Sequence, residues 1–224
     1  MTVMRGISRG EYYHVFNRGA HKVAIFRNKS DSMRFLFLIL YSQSPEVFKK
    51  VTRIVEQGTV TEGFPVDAEK EEKILKDRFV ELVSFCLMPN HFHLLLRETT
   101  EGGIAKYMQR VQVAYTMFFN MKYPSSGHVF QGRYGIRQVK DDLQLMHLST
   151  YIHRNPRELS AWRANEFRYP WSSLQDYTEA NRWGGLLATD IIASRFDATP
   201  NSNYADFVKT SSAKMLEEEF GYSE

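Results

Sequence analysis

The sequence has a single cysteine, Cys86, and no long hydrophobic run among its 224 residues. One cysteine excludes an internal disulfide and is typical of a protein in a reducing compartment. The most apolar stretch, FLFLILY, is too short to cross a bilayer. The first residues include arginines but no apolar signal segment. These absences predict a cytoplasmic protein with no membrane partner.

Basic residues outnumber acidic residues over most of the chain, whereas acidic residues predominate near its end. Residues 197–224 contain two lysines and six acidic residues, whereas residues 1–196 carry a net charge of +7. A basic body with a short acidic tail favours a polyanionic partner. Hydrophobic residues make up 43% of the chain, which is enough for one well-packed core.

The order of the predicted elements indicates an α+β fold. Strands are predicted in EYYHVFNRG, on either side of Pro89-Asn90, and in RYGIRQVK. Helices are predicted in SDSMRFLFLILYSQS with Ser30 as N-cap, in GGIAKYMQRVQVAYTMFFNMKYP, and in DDLQLMHLSTYIHRNP. The resulting β-α-β-β-α-β order is that of a ferredoxin-like antiparallel sheet, for which we expect helices on one face.

Two segments add to this pattern. We predict a helical insertion over residues 42–78. Its first helix would have Ser44 as N-cap and Pro45 as its first residue, and its second, highly charged helix would lie in DAEKEEKILKDRF. We predict a C-terminal helical extension over residues 178–224. We therefore expect one domain over residues 1–177, followed by the extension.

The stretch MPNHFHLLL places two histidines, His91 and His93, one residue apart in an apolar strand. Alternate residues of a strand face the same side, so both imidazoles project together and Phe92 points to the other face. Two imidazoles on a rigid strand can chelate a divalent metal. A pair of hydrogen-bonded structural histidines would explain the same pattern.

The segment TYIHRNPREL places Tyr151 and Asn155 four residues apart, on one face of a predicted helix. The Asn155 side chain offers a carbonyl oxygen, a ligand that hard cations accept. The Tyr151 side chain offers a phenol, and a phenol near a cation loses its proton more easily and can attack phosphorus. Taken alone, Tyr151 is better explained as a partly buried aromatic residue.

Five segments in a fixed order resemble the single-tyrosine HUH transposases, most closely the REP-associated tyrosine transposases. These segments are PNHFHLLL, the helix that follows it, GHVFQGRYGIRQV, YIHRNP and YPWSS. The likeness extends from about Tyr12 to about Tyr177. It implies a ferredoxin-like domain that cuts and joins single-stranded DNA through a 5′-phosphotyrosine intermediate.

The resemblance also implies the roles of individual residues. His91 and His93 would be the metal-binding pair, Tyr151 the nucleophile, and Asn155 the third ligand at a position where relatives often have glutamine. The implied cofactor is Mg²⁺ or Mn²⁺, which would help stabilise charge on the scissile phosphate. His153 receives no catalytic role.

The implied partner is single-stranded DNA with hairpin-forming repeats, bound by a monomer or a homodimer at the nucleoid in the cytoplasm. DNA binding requires cations and polar side chains near the backbone. The candidates, each also explained as ordinary surface, are Arg5, Arg9, Arg18, Arg110, Gln131, Arg133, Arg137 and Lys140.

Three functions remain open at this point. The first is a DNA strand transferase, and the second is a repurposed single-stranded DNA- or RNA-binding protein of the same fold that cuts little. The third is an unrelated metal-dependent hydrolase. The presence of His91, His93 and Tyr151 favours the first over the second, and the lack of a carboxylate cluster around the histidines argues against the third.

Overall fold

The structure of the protein is a computed structural model, which describes residues 7–123, 127–197, 199 and 202–220. Short 3₁₀ turns connect several of its elements. The strands and α-helices are β1 (Tyr12–Arg18), α1 (Lys29–Tyr41), α2 (Val51–Gln57), α3 (Ala68–Lys76), β2 (Val80–Met88), β3 (His91–Glu98), α4 (Gly103–Lys122), β4 (Gly135–Gln138), α5 (Asp142–Arg154), α6 (Leu174–Thr178), α7 (Asp190–Ala193), α8 (Tyr204–Thr210) and α9 (Ala213–Phe220).

The four strands form one sheet in the order β2-β3-β1-β4, and every neighbouring pair is antiparallel. This is the strand order of a ferredoxin-like fold, so the predicted fold class is confirmed. The β2-β3 hairpin turns at Pro89-Asn90, as the turn residues predict. Strand β3 is central and is hydrogen-bonded on both of its edges.

Helices cover both faces of the sheet. Helices α1 and α4 pack on the face of Phe92 and Leu94, as predicted for helices on one face. Helix α5 and parts of the extension instead cover the face of Cys86 and Leu95. For α5 and the extension, the prediction that helices lie on one face is therefore wrong. Strands β2 and β3 have apolar side chains on both faces, and both faces must be buried by other elements.

The start of α1 differs from the prediction by two residues. Asn28, rather than Ser30, is the N-cap, and its side-chain oxygen accepts a hydrogen bond from the Asp31 N–H at 3.3 Å. Asp31 is fully buried and pairs with Lys122 of α4 at 2.6 Å. This tertiary contact fixes the position of Asp31 and therefore the residue at which the helix begins.

The first helix of the insertion is shorter than predicted. It does not begin at Ser44 and Pro45 but at Val51, after Lys50 in a left-handed conformation with φ of 56°. The Phe48 ring lies 5.4 Å from the Phe37 ring of α1, edge to face. Packing of this aromatic side chain holds the segment before Val51 against α1 and prevents it from continuing the helix.

Glu98 caps α4, although it lies at the end of β3. Its carboxylate is fully buried and accepts hydrogen bonds from the backbone N–H groups of Gly102 at 2.9 Å and Ile104 at 3.1 Å. We expect Glu98→Ala to lower the free energy of unfolding by about 2–4 kcal/mol, because two N–H groups at the positive end of the helix lose a charged acceptor.

Urea denaturation of wild type, Glu98→Ala and Glu98→Gln measures this effect. The glutamine variant keeps one acceptor oxygen and should lose less stability than the alanine variant. Equal stability of wild type and Glu98→Ala would show that the carboxylate does not stabilise the helix.

Candidate active site

His91 and His93 project from β3 to the face that α5 covers. Their ring centroids are 5.1 Å apart and the ring planes are nearly perpendicular, at 88°. In the β1-β3 pairing, Arg18 lies opposite His91 and Phe16 lies opposite His93. His93 is buried and His91 is partly buried. Phe92 points into the core on the other face, as strand alternation predicts.

Helix α5 brings two further side chains to the histidines. The Tyr151 ring meets the His93 ring edge to face, with centroids 5.4 Å apart. Asn155, in the 3₁₀ turn that follows the helix, places its Oδ1 atom 3.4 Å from His91 Nε2. Its Nδ2 atom donates to the Tyr151 carbonyl oxygen at 2.9 Å. The structure thus brings together all four side chains that the sequence assigns to one site.

Neighbouring amides fix the orientation of His91 and Asn155. Asn90 donates through Nδ2 to the Lys22 carbonyl oxygen at 3.3 Å, which leaves its Oδ1 atom to accept from His91 Nδ1 at 2.7 Å. His91 Nε2 then carries a lone pair. Asn155 donates through Nδ2 to the Tyr151 carbonyl oxygen, so its Oδ1 atom faces the site. His91 Nε2 and Asn155 Oδ1 therefore face each other as two acceptors 3.4 Å apart. Two converging acceptors are suited to a cation between them.

Burial keeps both histidines neutral. It lowers the pKa of His91 to about 4, against the opposing effect of the Asn155 side-chain oxygen, which would accept a hydrogen bond from the protonated ring, and the nearby Arg18 charge lowers the pKa further. Burial also holds the pKa of His93 well below its ordinary value, assisted by His14 and His91. Neutral imidazoles are the form that binds a metal, so the donor set fits a divalent ion at neutral pH.

A third imidazole, which the sequence did not assign to the site, completes the cluster. His14 of β1 is buried, and its Nε2 atom lies 2.8 Å from His93 Nδ1, with the two rings stacked at 5.1 Å. Burial, and secondarily the charge of Arg137, lowers the pKa of His14 to about 3. Alternation in YYHVF predicts only the face of His14, because its contact with His93 depends on β1 pairing with β3.

His153 lies in the core between α5 and the C-terminal extension. It is fully buried on α5, and its two ring nitrogens contact the Tyr204 hydroxyl at 2.6 Å and the Ser173 hydroxyl at 2.8 Å. Burial lowers its pKa to about 3. The contact with Tyr204 joins α5 to α8 of the extension.

Three of the predicted DNA-binding residues, Arg18, Gln131 and Arg137, lie near the histidines, and we call them the basic rim; Arg133 follows Gln131 in the same loop. The Arg18 guanidinium donates to the Gln131 side-chain oxygen. Gln131, Arg133 and Arg137 are exposed. Arg137 lies opposite His14 in the β1-β4 pairing, with its guanidinium 5.5 Å from the Phe16 ring centroid. These groups form a polar and cationic border beside His91 and His93.

The remaining candidates lie elsewhere. Arg9 is exposed in the turn before β1, at the opposite end of that strand from Arg18, a separation of roughly 20 Å or more. Lys140 is exposed just after β4. Arg110 is on α4, on the other side of the sheet, and donates to the Glu46 carbonyl oxygen at 2.6 Å. Arg5 lies outside the described residues.

In the described part of the chain, no group of three or more His, Cys, Asp or Glu side chains could hold a metal ion. The candidate site differs from such a group because its donors are two histidines and the amide oxygen of an asparagine. No helix in the same residues is both long and apolar enough to cross a membrane.

Residues 68–155 match the family model described as "Transposase IS200 like". The matched segment begins in α3 and ends at Asn155, so it contains the histidine pair and Tyr151. The match covers 88 of the 224 residues, less than half of the chain. Over this part the chain is similar to IS200-like transposases, which confirms the predicted resemblance.

Solved structures of two other proteins are similar to this chain. One is a REP-associated tyrosine transposase bound to a REP hairpin, with a TM-score of 0.51 and 12% identity over 85% of this chain and 93% of that one. The other is a putative transposase from Deinococcus radiodurans, with a TM-score of 0.35 and 17% identity over 65% of this chain and 91% of that one. The first supports the fold. No curated protein matches the chain.

Proposed function

We propose that the protein cuts and rejoins single-stranded DNA beside a hairpin, with Tyr151 as the nucleophile. The observation that carries this proposal is the edge-to-face contact of the Tyr151 ring with His93, in a site where His91 Nε2 and Asn155 Oδ1 converge as two acceptors. The similar REP-associated transposase was solved with a REP hairpin, which supports a hairpin substrate here.

The proposed reaction is an in-line phosphoryl transfer in which Tyr151 is the attacking group. The Tyr151 oxygen forms a bond to phosphorus while the bond from phosphorus to the 3′ oxygen breaks, and the phenol proton passes through solvent to the leaving 3′-OH. The product is a free 3′-OH and a 5′-phosphate joined to the tyrosine. Attack by a 3′-OH reverses the step and reseals the strand without a nucleotide cofactor.

His91, His93 and Asn155 would hold the divalent ion. When bound, Mg²⁺ or Mn²⁺ supplies positive charge to the scissile phosphate. Two imidazoles in the donor set favour Mn²⁺, because Mg²⁺ prefers oxygen ligands. Neutral histidines allow the site to fill without first losing protons at neutral pH.

The basic rim would guide the DNA strand to the site. Arg18 is closest to the histidines in the sheet register, opposite His91, and can contact the phosphate backbone there. Since Tyr151 and the histidine pair come from one chain, a monomer can supply the complete site. We place this activity at the nucleoid in the cytoplasm.

One observation favours the alternative, a binding protein of this fold that cuts little. The Tyr151 side chain is largely buried, with a relative exposure of 6%, and the Phe220 ring of α9 lies 5.7 Å from it. A strand must reach the phenol oxygen for cleavage to occur. The two functions differ in whether a covalent product forms.

A labelled-hairpin assay separates them. The full-length protein is incubated with Mn²⁺ and a single-stranded hairpin oligonucleotide labelled at either end, and the products are separated under denaturing conditions. We expect the 3′ label to move with the protein, because tyrosine keeps the 5′-phosphate of the downstream fragment, and the 5′ label to appear on a free fragment.

The matched controls are the same sequence as a perfect duplex and a reaction with EDTA, and neither should yield the adduct. Binding of the hairpin without any adduct would favour the alternative function. An adduct that carries the 5′ label would contradict the proposed polarity of attack.

A further inference from the structure

His14 and His93 are joined by a buried contact between two ring nitrogens. His14 Nε2 and His93 Nδ1 are 2.8 Å apart, and the ring planes are inclined by only 22°. Both rings lie on the face of the sheet that α5 covers, and the Tyr151 ring centroid is 6.0 Å from that of His14 and 5.4 Å from that of His93. The contact therefore lies inside the candidate site.

The direction of this hydrogen bond decides whether His93 can bind a metal. A neutral imidazole carries one proton, on either Nδ1 or Nε2, and binds a metal through the other nitrogen. His93 Nδ1 faces His14, so Nε2 is the nitrogen that remains for a metal. Nε2 is unprotonated only when Nδ1 carries the proton and donates it to an acceptor.

His91 has the same arrangement. Its Nδ1 atom faces Asn90 Oδ1 at 2.7 Å, which directs the Nε2 lone pair toward Asn155. Each histidine of the pair thus has an acceptor at Nδ1, an asparagine oxygen for His91 and an imidazole nitrogen for His93. Metal-binding histidines commonly donate their second ring N–H to an acceptor in this way, which fixes tautomer and ring orientation.

We propose that His14 is a positioning residue for the metal site, a role that rests on the proposed function. Its Nε2 atom accepts the proton of His93 Nδ1 and so holds His93 in the tautomer and ring orientation that present Nε2 to a divalent ion. His14 itself does not contact the ion.

The surroundings of His14 support this role. In the proposed arrangement its own proton is on Nδ1, a buried atom with no hydrogen-bond partner among the described residues. A buried donor without a partner is destabilising, and an apolar side chain in this position would avoid it. The imidazole is therefore explained by its contact with His93 rather than by packing.

Mn²⁺ binding to the full-length protein without DNA tests the proposal. The free Mn²⁺ signal in electron paramagnetic resonance gives the affinity of wild type, His14→Leu and His14→Gln. We expect His14→Leu, which cannot accept a hydrogen bond, to bind Mn²⁺ about 10- to 100-fold more weakly. In His14→Gln the amide oxygen can reach the position of Nε2, so the affinity should stay within about threefold of wild type.

Two further variants make the result specific. His153→Gln changes another fully buried imidazole of the same core and should leave Mn²⁺ affinity unchanged. His91→Ala removes a proposed ligand and should abolish binding. Wild-type affinity in His14→Leu together with lost binding in His91→Ala would overturn the role of His14 alone. Unchanged affinity in every variant would overturn the metal site of the proposed function as well.

A second measurement does not depend on the folding of a variant. Nitrogen-15 spectra of the histidine side chains of wild type, with saturating Mg²⁺, report the protonated nitrogen of each ring. We expect His93 and His14 each to be protonated on Nδ1. A proton on His93 Nε2 under these conditions would overturn the proposal.

Discussion

Replacing Tyr151 with phenylalanine is expected to abolish the covalent protein–DNA adduct. Phenylalanine keeps the ring that packs against His93 at 5.4 Å and Phe220 at 5.7 Å, so the fold and the DNA-binding surface should persist. The change removes the one oxygen that would attack phosphorus. Loss of a nucleophile lowers the rate of a covalent step by a factor on the order of 10⁴ or more.

The 3′-labelled hairpin measures this loss, with binding followed separately by fluorescence anisotropy. Tyr204→Phe is the matched control, because Tyr204 is also buried against α5 but its hydroxyl contacts His153 and Ser149. This control should form the adduct at nearly the wild-type rate. Adduct formation by Tyr151→Phe at that rate would exclude Tyr151 as the nucleophile.

The second large effect concerns stability in acid. The free energy of unfolding is expected to fall steeply between pH 6.5 and pH 4, because burial lowers the pKa of both His14 and His153 to about 3. In the unfolded chain these imidazoles have a pKa of about 6.5 and become protonated in this range, whereas in the folded protein they remain neutral. The unfolded state thus binds more protons, so lowering the pH favours unfolding.

The size of the effect follows from this difference in pKa. At pH 5, each buried imidazole costs about 2 kcal/mol of stability relative to neutral pH. The two together would remove about 4 kcal/mol, a large part of the 5–15 kcal/mol that is typical of folded domains. His91 and His93 act in the same direction, because burial lowers their pKa values too.

Urea denaturation at a series of pH values tests this expectation. The comparison of wild type with His153→Gln isolates the effect of one imidazole. Glutamine does not titrate, and the carboxylates contribute equally to the pH dependence of stability in both proteins. The pH dependence of stability should be shallower in the variant by about 1.4 kcal/mol per pH unit between pH 4 and 6. The same slope in both proteins would show that His153 is already protonated in the folded state or exposed to solvent.

Local patterns in the sequence predicted the parts of the site that lie on single elements. Alternation placed His91 and His93 on one face, and helical spacing placed Tyr151 near Asn155. The strand order followed from the succession of elements, because few topologies join two strands, a hairpin and two helices compactly. These features depend on contacts between residues that are close in sequence, or on the order of the elements along the chain.

Features that depend on contacts between distant segments were missed. The pairing of β1 with β3 brings His14 to His93 across 79 residues, and no local pattern reports that distance. The Phe48 ring contacts α1, and this contact keeps the segment before Val51 out of the predicted first helix of the insertion. Arg110 has the charge of a DNA-binding residue, but its place on α4 directs it to the side of the sheet away from the histidines.

The two halves of the site rest on supports of different stiffness. His91 and His93 belong to β3, one of the two central strands, whose backbone is paired with both β1 and β2, so its amides should exchange with solvent only when the sheet opens. Tyr151 and Asn155 lie in the last turn of α5 and just beyond it, where a helix frays first. We therefore expect the backbone amides of β3 to exchange more slowly with solvent than those at the end of α5.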